Sequence, residues 1–141
     1  MRTLVFLAFF QMILSAISAW LISQMSFIGK LGIGLFYKEY KILKSPIETG
    51  ILIFALQMFV VILLFICWRF ISNKATRIVS LLVIFLACIG LAYTIHDFTY
   101  EFSHRILKSK FHTGFYLIWA GMIISALIYL FIPARIKQHS I

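Results

Sequence analysis

From Thr3 to Gly29 the chain carries no charged residue, and three more uncharged runs follow, Thr49 to Trp68, Ile78 to Ile95 and Phe111 to Ala134. A helix needs about 20 residues to cross a bilayer's hydrocarbon core, and each run has that order of length. Lipid offers no partner for backbone N–H and C=O groups, so such a run enters it as a helix that satisfies them internally. The pattern predicts an all-α integral membrane protein. Its expected architecture is a four-helix bundle with spans at about 4–28, 49–69, 77–96 and 111–133, in a single transmembrane domain covering 1–141. Composition excludes the main alternatives. The chain is 63% hydrophobic and 12% charged, whereas soluble domains carry about 25% charge. That balance excludes an ordinary soluble globule and a disordered chain, and two cysteines are too few for a disulfide scaffold.

Met1-Arg2 followed by an apolar stretch and then Ser15-Ala16-Ile17-Ser18-Ala19 imitates a signal peptide. The apolar run continues past the would-be cleavage site to Ile28, and the segment is read as a retained first helix. One side of the membrane receives Arg2, Arg69, Lys74, Arg77, Arg135 and Lys137, with no acid. The other receives Lys30, Lys38, Lys41, Lys44, Arg105, Lys108 and Lys110 over a longer stretch, together with Glu39, Glu48, Asp97 and Glu101. The denser basic side is expected to be cytoplasmic, which places both termini there and the chain in the plasma or inner membrane. The net charge of +9 is therefore an interface signal, and no nucleic-acid partner is expected.

The string ILKSPIETG at 42–50 returns as ILKSKFHTG at 106–114. Ile42, Leu43, Lys44, Ser45, Thr49 and Gly50 match Ile106, Leu107, Lys108, Ser109, Thr113 and Gly114; farther on Met58 matches Met122 and Leu63 matches Leu127. An even number of spans returns a second copy in the same orientation, so the expectation is a tandem duplication of a two-helix hairpin, with halves 1–70 and 71–141. Ser45, Pro46 and Glu48 have the spacing of a capping box that opens the second span. Ser109 is expected to cap the fourth, with His112 in the glutamate's place.

Gln11, Ser15, Ser18, Ala19 and Ser23, with Ala8, recur at spacings of three and four and share one face of the first span. Small and polar residues on one face mark close helix packing in lipid. Ala87, Gly90, Cys88 and Ala92 in span three and Gly121, Ser125 and Ala126 in span four offer matching surfaces. Gln11, Gln24 and Gln57 each need a partner across a helix interface. Cys67 and Cys88 lie at different depths and are read as free thiols, too far apart in height for a disulfide.

One interface gathers His96, Asp97, Glu101, His104 and His112. Carboxylates and imidazoles one helical turn apart suit a divalent cation, and His96 with His112 suit the axial positions of a haem. Ion pairs of Glu101 with Arg105 or Lys108 account for the same residues, so neither cofactor nor metal is expected. The same side is rich in aromatics, including Tyr37, Tyr40 and Tyr100; these fit an interfacial belt or, alternatively, a docking face.

No nucleophile elbow, phosphate-binding glycine loop or intramembrane carboxylate pair occurs, so no catalytic residue is assigned and a non-enzymatic role is expected. The expected partners are the lipid bilayer and another membrane protein or further copies of the chain. The reading is an accessory or assembly subunit of a membrane complex, or a protective protein of the immunity type. A homo-oligomeric passive channel or facilitator lined by Gln, Ser and Thr is the alternative, and a haem- or metal-binding subunit built on His96, His104 and His112 is the third.

Overall fold

The computed structural model describes residues 1–24, 45–100 and 109–132. They form four helices, α1 (Arg2–Ser23), α2 (Pro46–Ile66), α3 (Asn73–Tyr100) and α4 (Ser109–Phe131), with a π-helical turn, Cys67–Ile71, continuing α2. With that turn included, each is long and apolar enough to cross a membrane.

Local chemistry sets the ends. Ser45 is extended and its hydroxyl accepts a hydrogen bond from Glu48 N at 3.4 Å, while Pro46 occupies the first turn. Its own missing N–H leaves nothing unsatisfied there. The repeat-related Ser109 is itself helical and its carbonyl accepts from Thr113 Oγ1 at 3.0 Å; the residue before it lies outside the described residues.

Between α2 and α3 the uncharged runs suggest a turn from Arg69 to Arg77, yet the helical backbone covers nearly all of it. The π turn runs to Ile71, and extended Ser72 alone reverses the chain. The Ser72 hydroxyl then accepts from Ala75 N at 3.1 Å and its carbonyl from Thr76 N at 3.0 Å, which starts α3. Arg69, Lys74 and Arg77 therefore sit on helical turns and point outward. A charge marks where hydrocarbon must end; backbone hydrogen bonding continues past that point, so helix and uncharged run have different limits.

α4 is the centre of the packing. It lies along α3 and α1 and also touches α2; α1 lies along α2, while consecutive α2 and α3 meet only sparsely. Thus α1, α2 and α4 share one seam and α3 is laid against α4. Toward one end the buried side chains are Ala19, Ile22, Ile53, Phe98, Phe111 and Met122; toward the other they are Leu7, Val61, Leu64, Ala126 and Tyr129. Large apolar side chains also cover the outside, among them Phe6 and Phe9 on α1, Phe59 on α2 and Leu81, Phe85 and Tyr93 on α3. Only 11% of the apolar window of α3 is buried, against 33% in α1 and α4, so α3 presents the most outward hydrocarbon. Such a surface is a liability in water and the expected one in lipid.

Close approach depends on missing side chains. A Cβ on Gly114 falls 2.6 Å from Ile22 Cγ1 and 2.8 Å from the Ser18 carbonyl oxygen. On the repeat-related Gly50 it meets only Ala19 Cβ, at an ordinary 3.4 Å. Gly114→Ala is therefore expected to destabilise by about 1–3 kcal/mol through overpacking. Gly50→Ala should be neutral or slightly stabilising, since alanine is the better helix former. Thermal unfolding of both variants in one detergent checks this; equal losses at both positions contradict it.

Candidate functional site

The richest meeting of polar groups lies near the middle of the spans. Helical spacing turns Leu7, Gln11, Ser15, Ser18, Ala19 and Ile22 of α1 inward, and all are buried. From this face the Gln11 side-chain amide donates to the Gly121 carbonyl of α4 at 2.9 Å and to Ser125 Oγ at 2.6 Å. Ser125 in turn donates to the Gly121 carbonyl at 3.0 Å. From α2 the Gln57 amide reaches the Ile118 carbonyl at 3.5 Å. Both glutamines are almost fully enclosed, 0% and 1% exposed.

Gly121 makes this convergence possible. Its hydrogen occupies the place where a Cβ would lie 2.6 Å from Gln57 Nε2, 2.6 Å from Leu14 Cδ2 and 2.9 Å from Gln11 Oε1. Three helices thus exchange hydrogen bonds around one glycine. Chemically the cluster is neutral: amides, a hydroxyl and backbone carbonyls, able to donate and accept hydrogen bonds but offering no acid or nucleophile of tuned reactivity. Polar groups withdrawn from lipid bind each other with energies of about 0.6–2 kcal/mol per contact.

A second polar joint fixes α3 to α4. The Trp119 indole fills the space over Gly90, with ring atoms 2.3–2.7 Å from a Cβ placed there. Its Nε1 donates to Thr94 Oγ1 at 3.0 Å, and Thr94 donates to the Gly90 carbonyl at 2.8 Å. The sequence marks Gly90 as a packing position. It gives no means of pairing that glycine with a tryptophan 29 positions later, because both partners sit in apolar runs with many equivalent candidates.

Among the expected packing residues, Gln11, Ser15, Ala19, Gly114 and Gly121 are buried on helix contacts, while Ser23 is half-buried and donates to the Trp20 carbonyl of its own helix at 2.8 Å. Ser15 likewise bonds within α1, to the Met12 carbonyl at 3.0 Å. Gln24 finds its partner at the end of the spans, accepting from Lys110 Nζ at 2.8 Å and tying α1 to the start of α4.

The histidine cluster is only partly within view. Glu101, His104, Tyr37 and Tyr40 lie outside the described residues. His96 is exposed and its ring lies 4.5 Å from that of Tyr100, also exposed. His112 stacks on the buried Phe98 ring at 4.5 Å, within an aromatic group containing Phe111, Phe115 and Tyr116. Asp97 is half-buried. Among the described residues no three His, Cys, Asp or Glu side chains gather to hold a metal ion. Cys67, buried in the π turn, and Cys88, exposed on α3, are free thiols.

Comparison with protein-family models, with curated proteins and with solved structures gives no match. Thr94→Val removes the acceptor of the Trp119 indole while nearly conserving shape, and is expected to lower stability by about 1 kcal/mol. Trp119→Phe in the Thr94→Val background should then cost less in polar terms than in wild type; additive losses in unfolding experiments contradict the joint.

Proposed function

We propose that the chain is a non-enzymatic membrane subunit that acts through its helix surfaces, as an accessory or assembly component of a membrane complex or as a protective protein bound to one. The observation carrying this reading is how the seam uses its polar groups. The amide nitrogens of Gln11 and Gln57 turn inward onto α4, where Ser125 and backbone carbonyls accept them around Gly121 and even a methyl group lacks room. Amide nitrogens spent on helix contacts serve cohesion, and a water-filled conduit along the α1, α2 and α4 seam needs a continuous opening past Gly121 instead. What faces the membrane is hydrocarbon, most extensively on α3.

On this reading the four helices form a bundle, three around the seam and α3 on its flank. Both termini lie on the cytoplasmic side of the plasma or inner membrane, in keeping with the basic Arg2, Arg69, Lys74 and Arg77 at one end and Glu48 and Asp97 at the other. A tandem duplication of one hairpin supplies the architecture. The matched glycines Gly50 and Gly114 both oppose α1 near Ser18, Ala19 and Ile22, and the matched Gln57 and Gly121 meet at the seam. The duplication has become asymmetric, because α1 packs along α4 whereas α3 barely meets α2.

Photo-crosslinking from the outer face tests the proposal. A photoreactive residue at Phe85 or Leu81 of α3, in native membranes, is expected to yield a discrete crosslink to another membrane protein, and one at Phe6 of α1 a weaker one or none. Crosslinks to lipid alone from every position, together with solute flux through liposomes holding only this chain, contradict it and favour the channel.

A further inference from the structure

The midspan cluster leaves a defined chemical need. Gln11 Oε1 and Gln57 Oε1 are buried and accept no hydrogen bond, although the nitrogen of each amide is bonded. Rotating either amide by half a turn does not help. The Gln11 nitrogen already faces the Gly121 carbonyl and the Gln57 nitrogen the Ile118 carbonyl, so exchanging oxygen for nitrogen sets carbonyl against carbonyl. The backbone of α4 therefore dictates that both amides turn their oxygens away from its carbonyls. Those oxygens belong to neighbouring groups: Gln57 Nε2 and Gln11 Oε1 both lie within 3 Å of the point where a Gly121 Cβ would stand, at 2.6 and 2.9 Å.

Nearby hydroxyls do not meet the need. Ser125 has given its proton to the Gly121 carbonyl and Ser15 its proton to the Met12 carbonyl. Ser18 lies two helical turns from Gln11, about 10 Å along the axis. A bare cation is a poor occupant. The groups around the site are Gln11 and Leu14 of α1, Gln57 of α2 and Gly121, Ile118 and Ser125 of α4, none of them anionic, so its desolvation goes uncompensated. A small neutral molecule with two O–H donors fits the chemistry, and water, which takes two to four polar partners in buried sites, is the smallest.

We propose that a water molecule resides midway across the spans between α1 and α2, donating to both Gln11 Oε1 and Gln57 Oε1. The molecule bridges α1 to α2 where the two side chains make no direct bond, so the three-helix seam is joined at its centre by an exchangeable ligand. This inference does not rest on the proposed function.

The test uses the full chain in liposomes with 15N-labelled glutamine, read by magnetisation transfer from water to the side-chain amides, with Gln24 at the membrane boundary as the hydrated control. Signals are assigned with Gln→Leu variants. Transfer to both Gln11 and Gln57 is expected, at a rate comparable to the control. In Gln57→Leu the transfer to Gln11 should fall several-fold, and the melting temperature should drop. Dry Gln11 and Gln57 amides beside a wet Gln24 overturn the proposal, and the wild-type spectrum alone decides that point. A Gln11 signal unchanged in Gln57→Leu, or a raised melting temperature for that variant, also overturns the bridge.

Discussion

Between helices surrounded by lipid there is no hydrophobic force of the kind that builds soluble cores, because the surrounding tails are as apolar as leucine. Everything in this chain that holds one helix against another must come from close packing or from polar groups that lipid cannot satisfy. The hydrogen bonds from Gln11 to the Gly121 carbonyl and Ser125 are where both conditions meet. They form because Gly121 has no side chain, and the absence of that side chain is useful because the glutamines are there to approach.

From that contact the arrangement of the rest follows. α4 offers its Gly121 face to α1 and α2, and Gly114 lets α1 stay equally near toward the other end. Its remaining face, carrying Trp119, is free to receive α3 over Gly90. The helix with no share in the central seam, α3, is also the least enclosed. It is attached along its length to α4, through the Trp119 indole, Thr94 and an aromatic group around Phe98.

The number and type of elements could be read from charge spacing, since the cost of placing an ion in hydrocarbon is large enough to show in a single sequence. The inward face of α1 was equally readable: Gln11, Ser15, Ser18 and Ala19 share a helical face by spacing alone, and all four are buried. Gln57 was marked as needing a partner, but which carbonyl it meets depends on how far α2 slides along α4, and hydropathy carries no register. The cap at Ser45 was legible because capping is local, a serine followed three residues later by a glutamate. Trp119 and Thr94 were invisible as a pair, since an aromatic and a threonine in two apolar runs carry no mark of complementarity. The candidate ligand cluster was readable only as a list of residue types; His112 stacks on Phe98, while Glu101 and His104 lie outside the described residues.

The polar side chains within the spans act as a coupled joint between helices. A double-mutant cycle on Gln11→Leu and Ser125→Ala, measured by reversible unfolding in lipid bicelles, tests that coupling. The predicted result is a coupling of about 0.6–1.7 kcal/mol. Additive effects of the two substitutions, with coupling indistinguishable from zero, contradict it.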